Sequence, residues 1–232
     1  RKCIFVEGDD LKILAKYADI LYPKLTESIN NLPHVSLGGF NNLQEAFGAS
    51  KLFYEETRGS ISCMCILDRD YFPADLLEEK MRMAEKNKLM LHIWERKEIE
   101  NYIIEPKVLF RLLPVRTSGY EEFLKNLEDL VDTFSDDVFD QYAEHIVKYR
   151  KIDHSTANKE AREFMKKKWK GLDNKLALVS GKKLLKKINQ WMNKEYGVKC
   201  TLNILLTTFR AEDICAEISD IISQLVMGLE MD

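Results

Sequence analysis

Histidine is scarce in this chain, with four in 232 residues, and none of them stands at metal-ligand spacing from another His or Cys. Cysteine is nearly as sparse. Cys3, Cys63, Cys65, Cys200 and Cys215 form no CxxC pair, which excludes the common zinc frameworks. An odd number of scattered thiols argues for a reducing, cytoplasmic setting, with Cys63 and Cys65 as small core residues in an apolar strand. No apolar run approaches the ~20 residues that a bilayer span needs, so a membrane protein of the helical type is not expected. No charged-then-apolar signal segment opens the chain. A GxxxxGK[ST] loop is absent, and "VSGKKLL" is too short to serve as one, which argues against ATP hydrolysis. Neither GxSxG nor a persuasive Ser/His/Asp order appears.

What is present is the composition of a folded domain: 45% hydrophobic and 31% charged residues, enough to bury a full core. The net charge of −3 conceals a segregation. Between Lys148 and Lys199 stand 16 Lys/Arg against five Asp/Glu, whereas the rest of the chain is strongly acidic. Charge sorted in this way suits a polyanionic partner. The start at Arg1, directly before a strand, suggests a part excised from a longer protein.

Hydrophobic patterning gives the architecture. Residues 3–6 (CIFV) read as a short buried strand, 34–37 (HVSL) as a weaker strand, 61–67 (ISCMCIL) as the clearest one and 89–94 (LMLHIW) as a fourth. Helical spacing fills the gaps: Leu11, Leu14, Ala15 and Ala18; then Leu43, Ala46 and Phe47, capped by Asn41 or Asn42; then Leu76, Leu77, Met81 and Ala84 behind Pro73. The order β-α-β-α-β-α-β predicts an α/β fold, a largely parallel four-stranded sheet flanked by helices. Beyond Pro106 the pattern turns helical, with basic helices over 155–170 and 182–196 and a last one over 214–225. His92 reads as a core histidine, and Trp169 and Trp191 as helix anchors.

In such sheets, sites form beyond the carboxyl ends of the strands. Three of the four strands end there in acids: "VEGDD", "ILDRDY" and "WERKEIENYIIEP". On an extended backbone Asp68 and Asp70 point the same way, and two adjacent carboxylates repel unless a cation or proton neutralises them. Mg²⁺ accepts oxygen ligands and retains waters, so Glu7, Asp68 and Asp70 are candidates to hold it. Glu98 and Glu100 share a face if their segment is extended and diverge if it is helical. Gly8 and Gly38-Gly39 permit tight turns close to these acids.

Taken together, "FVEGDD", the "LGG" after the second strand, "ILDRDY", "ERKEIENYIIEP" and "SGKKLLKKI" resemble the Toprim domain of the overcoming-lysogenization-defect (OLD) nuclease family. The match covers residues 3–106 and resumes near 178–196. The resemblance implies a Toprim core over 1–106, a helical insertion over 107–177, and a return to the core with C-terminal helices over 178–232. It also implies cleavage of nucleic-acid phosphodiesters, DNA ahead of RNA, with two Mg²⁺ or Mn²⁺ ions, in prokaryotic defence against phage. An ABC-type ATPase module, in the same chain or a separate subunit, is the implied partner, and homo-oligomerisation is compatible with it.

By position, Glu7, Asp68 and Asp70 match the family's metal-binding acids, and Glu100 matches the glutamate of its "ENY" element, with Glu98 in support. Asp10 matches a further aspartate, but the turn here is one residue shorter, so Asp9 and Asp10 remain rivals. Lys182 matches a late basic residue that offsets charge in the transition state. Two other readings stand beside this one. The first is a PARIS-type Toprim effector that cuts RNA such as tRNA. The second is a non-catalytic Toprim domain with a regulatory or assembly role.

Overall fold

A computed structural model of the protein describes residues 2–8, 10–25, 27–114, 119–227 and 229. Four strands and eleven α-helices follow in chain order among these residues: β1 Lys2–Val6, α1 Asp10–Leu21, β2 His34–Ser36, α2 Leu43–Glu56, β3 Ser62–Leu67, α3 Ala74–Lys86, β4 Leu89–Ile93, α4 Pro106–Arg111, α5 Tyr120–Asp132, α6 Ser135–Arg150, α7 His154–Lys168, α8 Leu172–Leu178, α9 Gly181–Tyr196, α10 Leu202–Thr208 and α11 Ala216–Val226. They divide into two compact units.

The first unit comprises residues 1–68, 74–94 and 209–232 and contains the sheet. All strands run parallel in the order β2-β1-β3-β4. Val6 lies opposite Ser36 on one side and Ile66 on the other, and Ile66 lies opposite His92. The expected α/β class with a parallel four-stranded sheet is therefore present. From β1 the chain steps one way to β2, then reverses through β3 to β4. Right-handed crossovers then put α1 on one face of the sheet and α2 and α3 on the other. Helix α11 packs on α1, and the Lys2 ammonium donates to the backbone carbonyl of Gln224.

The β-branched and aliphatic runs of the central strands β1 and β3 form the core, whereas the edge strand β2 is exposed along its length. Ile4, Val6, Leu14, Ile66, Leu67, Ile222 and Leu225 are fully buried, each contributing about 1.5–3 kcal/mol of transfer free energy. Cys63 and Cys65 are buried in β3, as expected of core residues. His92 is mostly buried, its Nε2 3.0 Å from Glu217 Oε1. Asn42 stands at the start of α2, yet its side chain does not cap the helix. It donates to the Leu37 carbonyl at 2.6 Å instead.

The second unit comprises residues 69–73 and 95–208. Its helices bury apolar side chains at helical spacing: Phe123, Leu127 and Val131 on α5, and Leu184, Ile188 and Met192 on α9. Phe123 stacks on Trp191 with ring centroids 5.6 Å apart, and the Trp169 indole donates to Asp132 at 2.9 Å. Both tryptophans thus hold helices. Lys175 of α8 is buried and bridges Glu128 at 2.7 Å and Asp132 at 2.8 Å on α5.

Residues 95–106, grouped above with the sheet, belong to this second unit. The reason is local: Asn101 and Gly181 tie the "ENY" segment to the ends of α8 and α9, as the site geometry shows. No helix among the described residues is long and apolar enough to cross a membrane.

Candidate active site

The reversal of strand order lies between β1 and β3, and parallel sheets open a crevice at such a point, beyond the carboxyl ends of the strands. The first unit delivers three acids there. Glu7 follows directly on β1, Asp10 opens α1, and Asp68 follows directly on β3. Asp10 is 5% exposed and Asp68 7%, so both are buried carboxylates. The N-terminal end of α1 favours the negative charge of Asp10. Its rival Asp9 lies outside the described residues.

Gly8 takes φ 73°, the left-handed conformation that lets β1 turn sharply into α1. Gly39, at φ 129°, sits against Glu7: a Cβ there would lie 3.5 Å from Glu7 Oε1. Gly39, the second glycine after β2, therefore borders the Glu7 carboxylate. Cys65 is two residues back on the same face of the neighbouring strand. Burial first, and the Glu7 charge second, push its thiol up to about 12, so it stays protonated.

The other acids belong to the second unit. Asp70 does not continue β3, which ends at Leu67, and its φ of 43° is left-handed. The extended backbone that would align Asp68 with Asp70 is thus not adopted. Asp70 instead pairs with Lys97, Oδ1 to Nζ at 2.8 Å, and its backbone N–H donates to the Lys97 carbonyl at 3.0 Å. Lys97 is 7% exposed, and its ammonium also lies over the Tyr71 ring at 5.1 Å. Its own N–H donates to the Ala177 carbonyl at 2.8 Å. A buried ion pair of this kind is costly to break from one side.

Glu98, Glu100 and Lys182 are brought together. Glu98 caps a 3₁₀ turn over Ile99–Tyr102. Its Oε1 accepts from Ser180 Oγ at 2.9 Å and from the Lys182 N–H at 2.8 Å. The Lys182 ammonium lies 3.9 Å from Glu98 Oε2 and 3.6 Å from Glu100 Oε1. Burial raises the Glu100 carboxyl above its ordinary range, and the nearby Lys182 charge opposes that shift. The segment is helical, yet the two glutamates do not part company, because one lysine at the start of α9 meets both.

Two residues hold this arrangement. Asn101 is completely buried. Its amide donates to the Leu176 and Val179 carbonyls, both at 2.7 Å, and its Oδ1 accepts from the Glu98 N–H at 2.9 Å. Gly181 lets α9 approach closely: a Cβ would lie 2.8 Å from Asn101 N and 2.9 Å from the Glu100 backbone. Lys97 and Asn101 escaped the sequence reading. Lys97 is hidden in "ERKEIE", which looks like solvated charge. Asn101 carried a usable signal, a lone amide inside the apolar run Ile99–Ile104, where burial demands full hydrogen bonding.

The carboxylates of Glu7, Asp10 and Asp68 are oxygen donors, the ligand type that a hard divalent cation takes. Among the described residues no group of three His, Cys, Asp or Glu side chains is placed to hold a metal ion. Mg²⁺ does not require one, since it commonly binds through one or two carboxylates together with waters and substrate phosphate. Asp70, Glu98 and Glu100 have internal partners in this conformation.

The molecule is thus an α/β protein with acids at the switch point of a parallel sheet. No protein-family model matches the chain, and no curated protein matches it. Among solved structures, the C-terminal region of the OLD protein of Xanthomonas campestris pv. campestris is similar over 97% of this chain and 93% of that one, with 12% identity and a TM-score of 0.36.

Proposed function

We propose that the protein is a divalent-metal-dependent nuclease of the OLD-like Toprim type, acting on nucleic-acid phosphodiesters in phage defence together with an ABC-type ATPase. One observation carries this reading: Glu7, Asp10 and Asp68, two of them buried, stand at the carboxyl ends of β1 and β3 where the crossovers reverse. We assign Mg²⁺ or Mn²⁺ binding to these three, with Asp70, Glu98 and Glu100 as the family's further acids. The ion, when bound, supplies Lewis acidity and charge neutralisation at a phosphodiester. Glu7 and Asp68 orient it, and the glycines at 38 and 39 leave the approach to Glu7 narrow in side-chain bulk. Lys182 is assigned to the charge that builds on phosphate oxygens in the transition state. The basic helices between Lys148 and Lys199 attract the backbone of the polyanion, which makes binding steeply salt-dependent.

The test is direct. Supercoiled DNA, single-stranded DNA and tRNA are incubated with the protein in Mg²⁺, Mn²⁺ or EDTA, with and without the cognate ATPase. Metal-dependent cutting that disappears in Glu7→Ala and Asp68→Ala supports the assignment. Intact substrates under every metal condition overturn it and leave the regulatory or assembly role. Cutting of tRNA alone selects the RNA effector.

A further inference from the structure

The second unit contains a cavity of about 320 Å³ lined by Arg69, Glu95, Phe164, Lys168, Asn174, Ala177 and Leu178. That volume is at the lower end of the range typical for small-molecule sites. Its wall is rigid on one side. Phe164 stacks on Tyr142 with ring centroids 3.8 Å apart and planes 13° from parallel. Tyr142 in turn meets Tyr71 edge-on at 6.0 Å, and the Tyr71 hydroxyl donates to the backbone carbonyl of Leu178, itself a lining residue, at 2.6 Å. The lining thus combines a fixed aromatic ring, two basic side chains, a carboxylate and an amide. Arg69 and Tyr71 come from "LDRDYF", the motif whose aspartates alone have been given a role so far.

We propose that this cavity receives one unpaired nucleotide of a single-stranded nucleic acid, with the base on Phe164 and the phosphate at Arg69 and Lys168. The inference rests on the nuclease reading and names the form of substrate it prefers. Several lining groups have a counterpart on a nucleotide. An aromatic face held by a second ring loses little freedom when a base stacks on it. Arg69 offers a planar fork of donors to phosphate, and Lys168 a point charge. The Asn174 side chain offers an amide to a base edge. A base paired in a duplex keeps its face covered by its neighbours, so only an extruded or unpaired base fits.

Binding is measured in EDTA on the full chain, by anisotropy of DNA and RNA 12-mers of one sequence, each carrying a 2-aminopurine. Stacking should quench the 2-aminopurine when the single strand binds, and leave it unchanged in a duplex. Phe164→Leu should weaken single-strand binding ~10-fold or more and abolish the quench. Arg69→Gln and Lys168→Gln should weaken binding and flatten its salt dependence. Lys51→Gln, exposed on α2 and outside both the lining and the basic helices, should leave the quench intact. Lys168→Gln keeps the test valid if the Phe164 variant unfolds, because Lys168 is exposed. Wild-type affinity and quenching in the Phe164, Arg69 and Lys168 variants would overturn the proposal, as would failure of the wild-type protein to bind either strand. A protein that cuts with metal yet shows no stacking refutes the cavity alone. One that stacks a base but never cuts refutes the nuclease reading alone.

Discussion

The two acidic groups are held in place by different means. At the sheet rim, position follows from topology: Glu7 and Asp68 are carried by strands whose registers are fixed, and a reversal in strand order brings their ends side by side. In the second unit, position follows from individual contacts. Glu98 and Glu100 depend on a buried amide, a glycine and a lysine that meet at the start of α9. Strand register thus places the rim acids, whereas side-chain and backbone contacts within the second unit place the Glu98–Glu100–Lys182 group.

Substitutions can break or sharpen that contrast. Removing a rim carboxylate by Asp68→Ala or Glu7→Ala should reduce metal-dependent cleavage at least ~100-fold, while calorimetry finds only a small shift in thermal midpoint, because strand register holds the rim. A large drop in midpoint would erase the distinction. Asn101→Ala should act in the opposite sense. It strands two buried carbonyls and one N–H, so urea denaturation should show a loss on the order of 3 kcal/mol. Gly181→Ala forces a Cβ against backbone atoms of the turn, and should cost about 2 kcal/mol in the same measurement. Its functional loss should exceed that of Gly48→Ala in α2, where no neighbour lies within 4 Å of an added Cβ.

The smallest effect concerns thiols. With its pKa raised to about 12, Cys65 is protonated and shielded at pH 8, so the native protein should label with DTNB at exposed Cys215 and not at Cys65. Glu7→Gln removes one upward push and should lower the pH at which Cys65 reacts in the native protein. Equal labelling of Cys65 and Cys215 in the native state would place the rim in solvent.

Much of the fold was legible because strands and helices announce themselves by period. Runs such as "SCMCIL" and the spacing of Leu11, Leu14 and Ala18 needed no tertiary information, and each strand lies within a residue or two of its expected span. The rim acids were legible for the same reason, since a strand's end is a place in the fold. The pairing of Lys97 with Asp70 was not, because it depends on a left-handed residue that no pattern marks. Nor did the local sequence reveal that Glu98 and Glu100 share Lys182: the lysine is more than 80 positions away, and only the close approach at Gly181 joins them. The grouping of residues 95–106 with the helices had the same origin.

The packing of α11 on α1 has a consequence for biosynthesis. During translation the first strands and α1 leave the ribosome long before α11 is made, and α1 must wait with its apolar stripe uncovered while about 190 further residues emerge. The sheet unit therefore cannot be completed until late in synthesis, and release of an incomplete chain exposes a sticky surface. Nascent chains stalled before residue 216 should accordingly engage trigger-type chaperones more strongly than finished ones.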